Sequence, residues 1–302
     1  MTQQKRQKRA ISGWIILNKP YDVTSTQAVG KIKWLYSAKK GGHAGTLDPL
    51  ATGILPIALG EATKTVPHVQ DGVKIYEFDL KWGSTTTTDD VEGEVTATSD
   101  VRPTKDQLEA VLPQFTGVIT QVPPAFSAIK INGERAYDLA RAGEKVDVPP
   151  REVEIDAFEL IAHGQDLSTF RVTCQKGTYV RALARDIAES LGSKGHVSRL
   201  HRAAVGPFTD DDAVTINEIE ALELHERDAA LRPLNDAVGH LPEVALDDRQ
   251  AQLVRMGNPA LLIGRNAPIA LDEAYATYKG EMVALGFVEK GQFKPSRVIV
   301  AS

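Results

Sequence analysis

Trp14-Ile15-Ile16-Leu17 is an unbroken apolar run closed by Asn18-Lys19-Pro20, and it reads as a short buried strand. Thr24 then opens a helix, with Gln27 placed to complete a capping box. Ala28, Ile32, Leu35 and Tyr36 share one face of it. Gly41-Gly42 ends this stretch and opens a loop. Tyr76, Phe78, Leu80 and Trp82 alternate with Glu77, Asp79 and Lys81, the period of a half-buried strand. Thr104 and Gln107 repeat the capping pair ahead of an apolar stripe at Leu108, Val111, Leu112 and Phe115. A short helix is predicted over Glu134 to Arg141, closed by Gly143. Residues 152–162 and 168–174 read as antiparallel strands joined at Gly164. Val180, Leu183, Ala184, Ile187 and Leu191 form the stripe of a helix ending at Gly192. An acidic helical stretch runs from about 210 to Arg232. From about 243 short strands and glycine turns predict a small, mostly β module. The pattern as a whole predicts an α+β domain followed by that module.

At 302 residues the chain is long enough for about two domains and a core without staples. A single cysteine, Cys174, excludes an internal disulfide and a cysteine-based zinc site. No apolar run approaches the length of a membrane span, and the polar N-terminus has no signal region behind it, so a cytoplasmic protein is expected. The net charge of -5 hides an asymmetry. Residues 1–70 hold ten Lys/Arg against three Asp/Glu, and residues 171–205 hold seven against two. Residues 210–250 hold three against twelve. Two basic regions and an acidic one suit an anionic partner that meets one face, although any single run is ordinarily solvated surface.

The segment Gly42-His43-Ala44-Gly45-Thr46-Leu47-Asp48-Pro49-Leu50-Ala51-Thr52-Gly53 carries the most chemistry. Its glycines permit special dihedrals and close approach, and Pro49 holds Asp48 extended. A carboxylate is thereby fixed on a shaped loop in a basic region. On local chemistry alone it either caps the next turn or takes part in a reaction. No second carboxylate, Ser-His pair or phosphate-binding Gly-Lys-Ser/Thr lies nearby in sequence. Tyr76 reads locally as a core tyrosine, and Arg181 as a solvated arginine at a helix start.

This segment resembles the catalytic motif of the TruB family of tRNA pseudouridine synthases, G-H-x-G-T-L-D-P-x-A-x-G. Asn18-Lys19-Pro20 with Thr24-Ser25 resembles that family's first motif, and Tyr76 with the turn ending at Gly93 its second. Pro123 to Lys130, with Gly133 and Ala136-Tyr137, resembles its insert. Lys176-Gly177-Thr178-Tyr179-Val180-Arg181 resembles its third motif, and Leu200, Arg202 and Gly206-Pro207-Phe208 its closing one. The ordered set covers residues 11 to about 210.

The resemblance implies a pseudouridine-synthase fold, a mixed and largely antiparallel sheet flanked by helices, with a PUA-like C-terminal module. The implied division is a disordered basic tail at 1–10, a catalytic domain at 11–235 with an RNA-clasping insert at about 124–152, and an RNA-binding module at 243–302. Cations of the insert at Lys130, Arg135, Arg141 and Lys145 suit that clasp. Asp48 would be the nucleophile, Arg181 its partner, and Tyr76 a stacking platform or proton acceptor. His43, Tyr179, Leu200, Lys19 and Pro20 would meet substrate. The implied substrate is the uridine at position 55 in the tRNA T-loop, reached by base flipping. The enzyme would be a monomer needing no metal, organic cofactor or protein partner.

One departure stands out: Thr87 occupies a position where the family has Asp, so Asp90 is taken as the retained carboxylate. Three rivals share some of the motifs: a guide-RNA-directed relative, a non-catalytic RNA-binding protein, and an inosine-type glycosidase.

Overall fold

The computed structural model describes residues 7–127, 129–131, 133–143 and 146–300. Seven strands form the spine of the main sheet: β1 (Gly13–Lys19), β2 (Thr52–Leu59), β3 (Lys74–Trp82), β4 (Gly117–Gln121), β5 (Arg151–His163), β6 (Leu167–Cys174) and β7 (Gly195–Val205). Their spatial order is β1-β2-β7-β3-β6-β5-β4. Every neighbouring pair is antiparallel except β2 and β7, which meet in parallel at His201↔Thr52 and Arg202↔Gly53. This is the mixed, largely antiparallel sheet expected.

Three helices matter most to the site: α1 (Ser25–Leu35), α2 (Lys105–Val111) and α3 (Val180–Ser190). Thr24 and Thr104 both form complete capping boxes, with Gln27 and Gln107. Each such cap contributes about 1 kcal/mol to a short helix. α3 lays Val180, Leu183, Ala184 and Ile187 on the Phe78, Leu80 and Phe170 side of the sheet. It stops at Leu191, followed by Gly192 at φ +67°, where a side chain would be strained. Phe78 stacks on Phe170 with ring centres 5.3 Å apart, and Phe158 closes the group edge-on. On the other flank Ala28, Ile32 and Leu35 of α1 pack with Leu17, Leu55 and Ile57.

Several local expectations change. Gly41–His43 is a short strand paired with the end of β2, because the open edge there offers it partners. The helix expected from Glu134 covers only Ala136–Arg141, since Glu134–Arg135 pairs with Lys130–Ile131. The acidic stretch after 210 breaks into Asp210–Asp212, Ile216–Ala221 and Leu224–Ala229, each restarted by its own cap at Thr209, Thr215 and Glu223. The N-terminal tail is tied down before residue 10: the Arg9 amide donates to Ser37 O at 2.7 Å and its guanidinium pairs with Asp228. Lys145 lies outside the described residues, as do the side chains of Lys130, Arg135 and Arg141.

The C-terminal module is a five-stranded sheet built from Glu243–Ala245, Ala260–Leu261, Leu271–Tyr278, Glu281–Glu289 and Gln292–Val298. A helix at Asp248–Arg255, not expected, packs on it. The module is not a separate bead. Tyr275, Met282, Leu285 and Ile299 share a core with Trp14, Val69 and Phe208 of the main domain.

Candidate active site

The segment from Gly45 to Thr52 runs into β2 and is held almost residue by residue. The Ser25 hydroxyl accepts from Leu47 N and donates to Leu47 O, both at 2.9 Å. Lys19, fully buried at the end of β1, donates to Pro20 O, Val23 O and Pro49 O at 2.8, 2.7 and 3.0 Å. Asp22, in a left-handed turn, donates its amide to Pro49 O at 2.9 Å. These bonds fix Asp48 from both sides while leaving its side chain 40% exposed.

Arg181 enters from the first turn of α3 and is nearly buried. Its Nε lies 3.0 Å from Asp48 Oδ2. The rest of the guanidinium is also used. One terminal nitrogen donates to Thr88 O at 3.0 Å and sits 3.4 Å from Asp90 Oδ2, while the other donates to Phe126 O at 2.9 Å. A planar fork held on four sides cannot swing, so its Nε points permanently at Asp48.

Asp90 is thus the second carboxylate that the neighbourhood of Asp48 in sequence lacked. Its Oδ1 accepts from Glu92 N at 3.0 Å and from the Thr88 hydroxyl. Thr87, the departure from the family pattern, is exposed, whereas Asp90 is buried. The substitution therefore falls on the outer side of the turn. Next to it Asp89 is bound by Arg185, one turn along α3, at 3.1 Å. Arg185 also donates to Val122 O at 2.8 Å, so the two arginines of α3 together fasten the turn and the chain leading into the insert.

Asp48, Ala51, Asp90, Arg181, Arg199 and Leu200 border one small cleft. Tyr76 is half-buried and, like Leu200, packs against both core clusters flanking the sheet. Burial pushes the Tyr76 phenol above its ordinary pKa, partly offset by the nearby Arg202. Among the residues expected at the site, Asp48, Arg181 and Leu200 line the cleft together, and Tyr76 does not.

The others stand apart from that wall. Pro20 is exposed on the turn after β1. Lys19 has no donor to spare for a substrate, because all three ammonium hydrogens go to its own chain. Those three bonds tie the end of β1 to the Asp48 loop. The Lys19 pKa falls to about 8, chiefly through burial. His43 is half-buried with Nδ1 unpartnered, and burial together with Arg202 lowers its pKa. Tyr179 lies under the Arg151 guanidinium, 5.0 Å from the ring centre, and its backbone is fixed by both ends of the Gln121 amide. Among the described residues no three His, Cys, Asp or Glu side chains group as metal ligands do. No helix there is long and apolar enough to cross a membrane.

Sequence reasoning missed Ser25 as a loop anchor, Arg185 as a turn anchor and Arg151 over Tyr179. None has a local signal, since each partner lies at least 22 residues away.

Comparison with known proteins shows which family this chain belongs to. Residues 33–180 match the TruB family pseudouridylate synthase (N terminal domain), and residues 181–239 match the tRNA pseudouridylate synthase B C-terminal domain. The chain is 54% identical to tRNA pseudouridine synthase B of Brucella ovis over 318 residues, covering 98% of each. It is 52% identical to the protein of that name from Mesorhizobium japonicum, over 97% of this chain and 98% of that one. Among solved structures, a Cbf5-Nop10-Gar1 complex matches with a TM-score of 0.69 at 28% identity, over 96% of this chain and 84% of that one. An H/ACA RNP bound to a substrate RNA containing 2'-deoxyuridine matches with a TM-score of 0.71 at 24% identity, over 96% and 85%, and bears on the fold alone. The chain belongs to the TruB family of pseudouridylate synthases; as a tRNA pseudouridine synthase it is an isomerase.

Proposed function

We propose that this chain converts uridine to pseudouridine at position 55 in the T-loop of tRNA, with Asp48 as the nucleophile and the target base turned out of its stack. The observation that carries this reading is the half-exposed Asp48 carboxylate, held 3.0 Å from a nearly buried Arg181 at the edge of the cleft. The reaction breaks the C1′–N1 bond, turns the base, joins C1′ to C5 and releases the C5 proton, while N1 takes up a proton, so that the composition is unchanged. Asp48 supplies the anion at the sugar or base intermediate. Arg181 keeps that anion charged and aimed.

A stacked base cannot reach the cleft, so the nucleotide must be extruded, which costs least in a loop. Leu200 and Tyr76 offer the apolar surface that receives it. Tyr76 would stack on the extruded base or accept its proton. His43, Tyr179 and Pro20 lie around the loops that would border the nucleotide. The C-terminal module adds phosphate contacts through exposed cations such as Arg265 and Lys290.

The chain acts alone, as a monomer without a guide RNA. Purified protein incubated with an unmodified tRNA transcript should place one pseudouridine at position 55, mapped by carbodiimide treatment and primer extension. Modification elsewhere, or only when a second RNA or protein is added, would refute the assignment.

A further inference from the structure

Arg202 is among the largest fully buried side chains, at 1% exposure, and the reaction as described does not use it. Among the described residues it has no carboxylate within ion-pair distance. Its guanidinium donates instead to three backbone carbonyls: Ile54 O at 2.8 Å, Gly45 O at 3.1 Å and Thr46 O at 3.3 Å. Burying a cation without an anion costs several kcal/mol, and an apolar side chain of similar volume would fill the space more cheaply. What the guanidinium grips gives the reason. Gly45 and Thr46 lead directly into Leu47 and Asp48. Gly45 sits at φ +92° and has no side chain of its own to pin it.

The neighbouring residue on β7 grips the far end of the same loop. His201 Nδ1 lies 2.9 Å from the Thr52 hydroxyl, and its Nε2 lies 3.1 Å from both Asp210 carboxylate oxygens, which fixes the ring. The two residues can share this work because β2 and β7 run parallel here. Gly53, at φ +99°, makes that contact feasible: a Cβ there would stand 2.3 Å from Arg202 O. On its other side Arg202 is paired in register with Tyr76 of β3. One strand therefore joins the loop of the nucleophile to the aromatic platform.

We propose that Arg202 is a positioning residue for the nucleophile loop, and that β7 clamps the loop at both ends, through Arg202 at residues 45–46 and His201 at Thr52. The proposal rests on Asp48 being the nucleophile. A nucleophile displaced by about 1 Å loses roughly a hundredfold in rate while substrate affinity is untouched.

The test is single-turnover isomerisation at saturating tRNA, with tRNA affinity and folded fraction measured on the same samples. Arg202→Lys keeps the charge but cannot span three carbonyls, and Arg202→Met keeps neither. The rate per folded molecule should fall by about thirtyfold in the first and about a hundredfold or more in the second, with affinity within about twofold of the parent. His201→Ala should fall by roughly three- to tenfold on the same scale. If the Arg202 variants do not fold, His201→Ala and Thr52→Val decide.

Parent-like rates per folded molecule in the variants that fold would overturn the proposal, whatever their melting temperatures. Asp48→Asn serves as the control. Turnover by Asp48→Asn would defeat the nucleophile reading itself, whereas an inert Asp48→Asn beside fully active β7 variants would defeat only the clamp.

Discussion

Asp48 and Arg181 form an ion pair with unequal environments: the carboxylate is open to the cleft and the guanidinium is closed in by Thr88, Asp90 and Phe126. A lysine at 181 would keep the charge and lose the fork. Arg181→Lys should therefore lower kcat by about a hundredfold, the scale of one lost preorganised donor, with KM changed little. Equal losses in tRNA affinity and kcat in steady-state and filter-binding assays would make Arg181 a phosphate contact instead. The motif around Asp48 was legible in the chain because glycines, proline and carboxylate are contiguous there. Arg181 and Asp90 entered only through the family resemblance, and the hold that Ser25, Lys19 and Arg202 exert on the loop has no local signal. Ser25, Lys19, Asp90, Arg181 and Arg202 arrive from five separate segments, and only the tertiary fold brings them together. Lys19 shows what the chain alone leaves out: its motif position says nothing of its burial or of its bonds to Pro20, Val23 and Pro49.

Helices and strands with a clean period were read close to their true bounds. Thr24 with Gln27 and Thr104 with Gln107 announce α1 and α2, and the alternation from Tyr76 to Trp82 announces β3. The same signal was present at Asp247 and Gln250, yet the glycine-rich surroundings suggested strands and concealed the helix at Asp248–Arg255. Gly41–His43 could not be read as a strand, because its partner β2 lies across the Asp48 loop.

The strands also bury two lysines whose effect on stability can be measured. Lys19 on β1 and Lys74 on β3 both have pKa values lowered from 10.5 to about 8, mainly by burial. Between about pH 8 and 10.5 the folded chain binds fewer protons at these sites than the unfolded chain. Their contribution to stability therefore rises with pH across that window and is lost as pH falls through about 8. Urea titrations from pH 7.5 to 9.5 should show this rise. Lys74→Met should reduce its slope by up to about 1.4 kcal/mol per pH unit, the value for one proton. An unchanged slope would mean that Lys74 titrates normally in the folded chain.

The C-terminal module changes its apparent role when the whole molecule is considered. Its cations suggest a surface for RNA, but Tyr275, Met282, Leu285 and Ile299 complete a core begun by Trp14 and Phe208. Val298 O accepts from Lys64 at 2.7 Å, and Val300 N donates to Glu61 at 2.9 Å. Removing residues 243–302 should therefore lower the melting temperature and cost turnover even at saturating tRNA. A truncated chain that melts with the parent would contradict the shared core. The RNA contact is better tested by charge alone: Arg265→Glu with Lys290→Glu should raise KM and reduce its salt dependence with kcat retained. The proposed reaction depends most on Asp48 acting at the glycosidic bond. Release of tritium from tRNA carrying 5-tritiated uridine measures that chemistry, since joining C1′ to C5 expels the label. Asp48→Asn should bind this tRNA with affinity near that of the parent and release tritium at less than about a thousandth of its rate. Tritium release by the folded variant at a rate near the parent's would contradict it.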